Sequence, residues 1–286
     1  MTEILKAAPI REKYIPELQQ MCEELKGQGV HPSLKVILVG NHPPSLIYTR
    51  NKKKFIEKIG GLCEIIHLEE SISEDDLKNE IKNIADDSSV HGCFVQLPLP
   101  KHLGHIDVKQ LMPANKDVDG FHQDNMMLVL EGDRGEKSLL PCTPKGIMTL
   151  LDFYGVDPSG KSAVVIGRSM IVGKPMMMLL TNANATVSLC HSRTQDISAY
   201  TKEADIVVAA VGKAKFLTKD FFNKDKKQIV IDVGMNHDEN GKLCGDVDFE
   251  NVKEIVKGIT PVPGGVGPMT IFSLAQNLIT AAKRTL

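Results

Sequence analysis

Ser162-Ala163-Val164-Val165-Ile166-Gly167-Arg168-Ser169-Met170-Ile171-Val172-Gly173-Lys174-Pro175 passes from a short apolar run through a glycine turn into helix-forming sequence, and its reading decides the fold. A glycine after a strand permits the tight turn. Gly173 lets the new helix pack on the sheet, and the N–H groups of a helix's first turn, which lack intrahelical partners, attract a pyrophosphate. Pro175 fits a first-turn position, where the donor it lacks would have had no partner. The spacing is not G-x-G-x-x-G, because Ser169 stands in place of the second glycine and the last glycine comes one residue late. By itself the stretch reads as a dinucleotide cradle or as a plain strand-to-helix turn.

The next β-branched, apolar run, Thr186–Cys190, favours the cradle. About twenty residues past the glycine, a NAD-binding unit carries an Asp or Glu for the ribose 2′-hydroxyl. Here the chain reads Cys190-His191-Ser192-Arg193-Thr194, with a hydroxyl and a guanidinium and no carboxylate. With Arg168, this arrangement suits a 2′-phosphate and predicts NADP over NAD, since a guanidinium meets phosphate through paired hydrogen bonds. The plainer alternative for Arg193 is a solvated loop residue.

Outward from the cradle, helices and strands alternate. Helical spacing covers Arg11–Leu25, strands are predicted at Lys35–Val39, Cys63–His67 and Gly92–Gln96, and a helix at Leu46–Ile59. Ser73 and Asp76 resemble a capping box for a helix reaching Ala85. This order implies a parallel sheet covered by helices. Lys101–Leu140 is loop-rich. Thr143 is then a candidate N-cap, with Pro144 opening a helix to Phe153. Strands at Ser162–Ile166, Thr186–Cys190, Ile206–Ala210 and Ile229–Val233 supply a second doubly wound unit, and Thr270–Lys283 forms a last helix.

The chain of 286 residues has room for two domains, is 42% hydrophobic and carries a net charge of −2. Near-neutral charge without a basic, aromatic-studded stripe argues against nucleic acid as a main partner. Cysteines 22, 63, 93, 142, 190 and 244 show neither C-x-x-C pairs nor a zinc spacing, which favours reduced thiols in the cytoplasm. Neither an export signal nor a membrane span is expected.

Three further constellations carry candidate chemistry. Ser45, Tyr48 and Lys52 open the Leu46–Ile59 helix, with Tyr48 and Lys52 on one face, just beyond a strand end where ligands of open parallel sheets bind. The plainer reading is a tyrosine packed on the sheet beside a solvated lysine. Val95-Gln96-Leu97-Pro98 ends another strand of the same sheet with a polar amide that reaches the same place or is merely a satisfied strand end. Asp117 and Asp119 bind a metal, cap a turn, or grip a flat heterocycle. Metal is disfavoured, since hard-cation sites collect several oxygen ligands and the neighbours here are mostly apolar or basic. Pro261-Val262-Pro263-Gly264-Gly265-Val266-Gly267-Pro268 offers a stiff entry and a glycine-permitted close approach.

Tyr48-x-x-x-Lys52, Val95–Pro98, Lys116-Asp117-Val118-Asp119-Gly120, Pro141–Pro144, Gly167–Pro175 and Pro261–Thr270 together resemble the bifunctional methylenetetrahydrofolate dehydrogenase/methenyltetrahydrofolate cyclohydrolase family, in order and across both halves. One departure is Met235, where the family more often has isoleucine.

The resemblance implies an α/β protein of two domains. Residues 1–142 and 270–286 would form a three-layer α/β folate-binding catalytic domain, to which the C-terminal helix returns. Residues 143–269 would form a Rossmann-type, doubly wound NADP-binding domain, with a folate cleft between the two and a homodimer formed through the cofactor domains. It implies oxidation of 5,10-methylenetetrahydrofolate with NADP and hydrolysis of the methenyl product to 10-formyltetrahydrofolate, with tetrahydrofolate one-carbon derivatives as ligands and no metal. Lys52 is then the candidate for proton handling, oriented by Gln96. Tyr48 stacks on the aminobenzoyl ring and Asp119 holds the pterin amino edge. Ser45, Val95, Leu97, Pro263, Gly264, Gly265, Val266 and Gly267 complete the folate side. Gly167, Arg168, Ser169, Ile171, Gly173, Ser192, Arg193, Gly212 and Met235 face the cofactor.

The competing classes are a shikimate-type dehydrogenase of similar layout, which has no use for Tyr48 or the Pro-Gly-Gly-Val-Gly wall, and a non-catalytic NADP- or folate-binding protein. An ATP-dependent formyl ligase is not expected, because no G-x-x-x-x-G-K-[ST] loop occurs.

Overall fold

Short strands without any sequence period complete what the longer ones begin. The computed structural model of the chain describes residues 2–225 and 227–286; residue 1 of the expected folate domain lies outside it. In chain order the first half comprises β1 (Glu3–Ile4), α1 (Ala7–Gly27), β2 (Ser33–Val39), α2 (Pro43–Lys58), β3 (Leu62–Leu68), α3 (Glu74–Asp86), β4 (Gly92–Val95), α4 (Gln123–Leu130) and α5 (Cys142–Phe153). The second half comprises β5 (Ser162–Ile166), α6 (Gly173–Asn182), β6 (Thr186–Cys190), α7 (Ile197–Glu203), β7 (Ile206–Ala209), β8 (Ile229–Asp232), β9 (Asn236–His237), β10 (Leu243–Cys244), α8 (Phe249–Val252), β11 (Gly258–Ile259) and α9 (Val266–Lys283).

The chain divides into two units. One holds Glu12–Glu131, Gly135–Cys142 and Ile271–Leu286; the other holds Thr143–Thr270, Gly132–Arg134 and the N-terminal segment to Arg11. The division differs from the expected one at the N-terminus, because β1 pairs in parallel with β11 and so joins the six-stranded sheet.

In the first unit, β3-β2-β4 form a parallel sheet with β2 at its centre. Strand β2 is followed by β3 on one side and flanked by β4 on the other, so the space beyond the ends of β2 and β4 is a topological switch point, where open α/β sheets take ligands. Ile37, Val39, Leu77, Ile81, Ile84 and Val95 share the core between this sheet and α3. The helix α3 is capped as expected, Ser73 accepting the Asp76 N–H at 3.1 Å.

The second unit has a six-stranded sheet, β1-β11-β8-β7-β5-β6, parallel throughout. Its strands β5, β7 and β8 are almost wholly buried and β-branched, as a parallel sheet covered on both faces requires. The order reverses between β5 and β7, and the cradle follows β5.

Four helix starts depart from expectation. The helix α2 begins at Pro43 rather than Leu46. The helix α1 begins at Ala7, whose N–H donates to the Gly264 carbonyl at 2.9 Å. The helix α5 begins at Cys142, so Thr143 is not its N-cap; the Thr143 hydroxyl pairs instead with that of Thr270 at 3.0 Å. The helix α9 begins at Val266, making Val266, Gly267 and Pro268 its first turn rather than a loop.

The irregular stretch before α5 is tied down from α9. Asn277, buried, donates through Nδ2 to the carbonyls of Val118 and Leu140, each at 2.8 Å. Replacing it with leucine strips the Leu140 carbonyl of this donor and leaves the Val118 carbonyl with the Cys142 thiol, at 3.1 Å; an unmet buried acceptor costs about 1–3 kcal/mol. Urea unfolding of Asn277→Leu should show a loss of roughly 1–3 kcal/mol, and a loss below about 0.5 kcal/mol would contradict this role.

Candidate functional site

Helix α2 begins without a side-chain cap, on Pro43 and Pro44 in its first turn, where missing N–H groups cost least. It therefore starts close behind the end of β2 and carries Ser45, Thr49 and Lys52 inward, all buried, with Tyr48 half-buried. The Lys52 amine lies 3.2 Å from Gln96 Oε1 and 4.0 Å over the centre of the Phe94 ring. An amine over a ring face is held by the ring's quadrupole when cationic, and its hydrogen bond to the amide fixes the direction of its remaining valences. Gln96 itself is oriented by donating from Nε2 to the Leu97 carbonyl at 2.9 Å. Ser45 lies 3.0 Å from His42 Nδ1 and donates to the same Leu97 carbonyl at 3.4 Å. Burial pushes the Tyr48 phenol up.

The structure thus brings Ser45, Lys52, Gln96 and Leu97 together at the switch point of the smaller sheet. Phe94 was missed by sequence reading, although its spacing of two from Gln96 puts both on one face of the strand.

Asp119 reaches this sheet by another route. Lys116 accepts the Cys93 N–H through its carbonyl at 2.9 Å, so the 116–117 segment runs beside β4 and delivers Asp119 just beyond it, half-buried. Asp117, four per cent exposed, is not the second arm of a ligand clamp. Its carboxylate accepts the N–H of Gly120 at 3.1 Å and of His122 at 2.6 Å, and Asn125 Nδ2 at 3.3 Å. It is the internal brace of the loop that presents Asp119. Of the three alternatives for this acid pair, Asp117 takes the turn-organising one. Among the described residues no three His, Cys, Asp or Glu side chains are grouped to hold a metal.

In the larger-sheet unit, Gly167 has φ +124°, and a Cβ there would stand 2.2 Å from the Ala210 carbonyl oxygen. A Cβ on Gly173 would meet the Gly167 carbonyl oxygen at 2.0 Å. The turn therefore admits only glycine at both places, as a cradle requires. One expectation is corrected. The N–H groups at the start of α6 are not open to a phosphate: Ser169 Oγ accepts those of Val172 at 3.1 Å and Gly173 at 3.4 Å, and its carbonyl accepts that of Lys174 at 3.0 Å. The extra residue in the loop lets Ser169 fold back as a cap, which a glycine in its place could not do.

Beside the turn lies a cavity of about 300 Å³ whose wall includes Gly167, Arg168, Ser192, Val211, Lys213 and Phe216. Arg168 and Ser192 line it, whereas Arg193 is exposed outside the lining, with its N–H donating to His191 Nδ1 at 3.1 Å. Ile171 is half-exposed beyond it. Lys213 and Phe216 were not anticipated, because nothing in their local sequence marks them. Gly212 has φ +69° and open space where its side chain would be. Gly264, at φ +103°, is equally open, and a Cβ on Gly267 would meet only Met235 Sδ, at 3.9 Å. Gly265 is closed, its Cβ position 2.6 Å from the Pro261 carbonyl oxygen. Gly264 and Gly267 therefore face open space, whereas Gly265 serves packing. Pro263 and Val266 flank these positions, Val266 buried.

Residues 5–119 match the family model described as tetrahydrofolate dehydrogenase/cyclohydrolase, catalytic domain, and residues 141–286 match its NAD(P)-binding domain. The bifunctional protein FolD of Streptococcus agalactiae serotype Ia is 49% identical over 286 residues, covering 100% of this chain and 99% of the relative. The crystal structure of the bifunctional FolD methylenetetrahydrofolate dehydrogenase/cyclohydrolase from Campylobacter jejuni superposes with a TM-score of 0.96 at 44% identity, covering 100% of both chains. That of the Trypanosoma brucei methylenetetrahydrofolate dehydrogenase-cyclohydrolase, complexed with NADP cofactor and inhibitor, superposes with a TM-score of 0.91 at 32% identity, covering 99% of this chain and 98% of that one.

Burial pushes the Asp117 carboxyl up to about 6, with its N–H donors pulling the other way. An unfolded Asp titrates near 3.9, so the native state holds a proton that the unfolded chain has released. The resulting stability is fully present below the unfolded value and is lost as pH rises through about 6. Relative to Asp117→Asn, the parent protein should gain roughly 2 kcal/mol between about pH 7 and about pH 4.5, at about 1.4 kcal/mol per pKa unit. Parallel stability curves for the two proteins across that window would count against it.

Proposed function

This chain belongs to the tetrahydrofolate dehydrogenase/cyclohydrolase family, and we propose that Lys52 in the smaller-sheet unit and the Arg168 cavity in the larger-sheet unit carry its two reactions. The protein oxidises 5,10-methylenetetrahydrofolate to the 5,10-methenyl cation with NADP, and hydrolyses that cation to 10-formyltetrahydrofolate. Relatedness over the whole chain, including a matched catalytic domain at 5–119, disfavours a shikimate-type enzyme and a non-catalytic binder.

The observation that carries the assignment of roles is the buried Lys52 amine, held by Gln96 and backed by Phe94. In its neutral form Nζ accepts a proton from water as the water oxygen bonds to the methenyl carbon; an ammonium would repel that cation. The bond from that carbon to N5 then breaks as the hydroxyl becomes the carbonyl, its proton going to solvent, while N5 takes up the proton held on Nζ, leaving the formyl group on N10 and one proton released overall. Gln96 keeps the amine aimed. Tyr48 offers a flat apolar body to the aminobenzoyl ring. Asp119 accepts two hydrogen bonds from the pterin amino edge, fixing the ring as paired bonds do. Ser45, Val95 and Leu97 line this side.

The residues of the larger-sheet unit fit NADP: two glycines that tolerate no Cβ, and a cavity with Arg168, Ser192 and Lys213 in its wall. When bound, NADP accepts the hydride. Arg168 and Ser192 would hold its 2′-phosphate. A homodimer through the larger-sheet units and a cytoplasmic location belong to the same proposal; the location is supported by six cysteines that are all buried free thiols. Among the described residues no helix is long and apolar enough to cross a membrane.

Lys52→Met should lower hydrolysis of supplied methenyltetrahydrofolate by ~10²–10⁴-fold while leaving NADPH binding within about twofold. Wild-type-like hydrolysis by this variant would remove Lys52 from the mechanism. For the cofactor, Arg168→Ala deletes a charged hydrogen-bonding group, at about 1.5–3 kcal/mol, and should raise the KM for NADP roughly 10- to 150-fold with weak NAD use unchanged. Equal losses with both cofactors would show that Arg168 does not read the 2′-phosphate.

A further inference from the structure

Asp246, between β10 and α8, is fully buried, and its carboxylate accepts four hydrogen bonds. Oδ2 takes the N–H groups of Val211 at 2.6 Å and Gly212 at 3.1 Å, and Oδ1 takes the N–H of Lys213 and Asn236 Nδ2, both at 2.9 Å. Three consecutive backbone N–H groups converging on one anion make a nest of the kind that elsewhere holds a phosphate. In this chain the nest is filled from within. Its donors come from the loops that leave β7 and β8, so one side chain ties both to the 245–247 segment. That segment is anchored in turn by Asp232, whose carboxylate accepts the N–H groups of Gly234, Asp246 and Val247, each at 2.9 Å.

The surrounding sequence is shaped to admit this pair of acids. A Cβ on Gly234 would stand 2.5 Å from Asp246 Cγ, and one on Gly245 would stand 1.9 Å from Asp232 Oδ2. The loop held by Asp246 carries Val211, Lys213 and Phe216 into the wall of the cavity that also contains Arg168 and Ser192. The loop after β8 carries Met235, beside Gly267.

We propose that Asp246 is a positioning residue for NADP, which by filling the nest of residues 211–213 sets the turn at Gly212 and aims Lys213 into the cofactor cavity as a second cation beside Arg168. The proposal rests on the reading of that cavity as the NADP pocket. All four partners of the carboxylate are donors, so asparagine is no substitute: its amide nitrogen would face N–H groups on one side, although the side chain has the same shape.

The test is Asp246→Asn in the full-length protein, with NADPH binding read by the ligand's own fluorescence. The Kd for NADPH and the KM for NADP should rise by about tenfold or more, kcat at saturating NADP should stay within a few-fold, and hydrolysis of supplied methenyltetrahydrofolate, which uses no cofactor, should stay within about twofold. An unchanged Kd overturns the proposal, as does a parallel fall of kcat and hydrolysis without a change in Kd, the mark of a general loss of fold. If Asp246→Asn does not fold, Asn236→Ala removes one of the four donors and keeps the carboxylate; a Kd raised about threefold supports the proposal and an unchanged one overturns it. Failure of the pocket reading is separable, since Arg168→Ala would then leave the Kd for NADPH unaltered.

Discussion

Irregular backbone packed against a sheet must still satisfy its N–H and C=O groups, and this requirement organises both halves of the protein. The loops beyond the strand ends, such as 116–122 and 211–216, lie where no ladder or helix can do so. Buried acids and amides do it instead. Asp117 collects two N–H groups of the 117–122 loop, Asn277 takes two carbonyls of the 118–140 stretch, and Asp246 collects three N–H groups beyond β7. Each side chain does for a loop what a neighbouring strand does for a strand, and each costs desolvation that only its full set of partners offsets. Their positions determine where Asp119 and Lys213 stand.

The two sheets follow one topological logic with different contents. Beyond the ends of β2 and β4 stands a buried amine against an aromatic face and an amide oxygen, a place suited to moving a proton. Beyond the ends of β5 and β7 stand two backbone turns so close that glycine is required at each contact, and a cavity with cations in its wall, a place suited to an elongated anion. Parallel strands leave the same kind of crevice in both cases; the residues on the loops differentiate it.

Much of this was legible in the amino-acid order because it rests on local pattern. The β-branched runs of β5, β7 and β8, the Ser73 cap and the glycine turn are readable within a few residues. Strands β1, β9, β10 and β11 were not, since two residues carry no period and owe their state to partners far along the chain. The early starts of α1 and α9 were hidden for a similar reason, proline and glycine in their first turns suggesting loop. Of the proposed site, Lys52, Gln96, Asp119 and Arg168 could be singled out from motif and placement, whereas the buried Asp246 could not. Gly245-Asp246-Val247-Asp248 reads as a solvated turn, and its donors lie between ten and thirty-five positions away. The Ser169 cap was missed because a serine in place of a glycine reads as a weakened motif rather than as a different means of closing the same loop.

The bonds from Asn277 also set an order in time. They reach back 159 residues to Val118 and 137 to Leu140. A ribosome releases the chain from its N-terminal side at about 5–20 residues per second, so helix α9 emerges after everything it stitches. The strands of the larger sheet are all synthesised by then, while the loop bearing Asp119 still lacks both amide bonds from Asn277. The last of the bonds that tie this loop down can therefore form only after translation has passed residue 277.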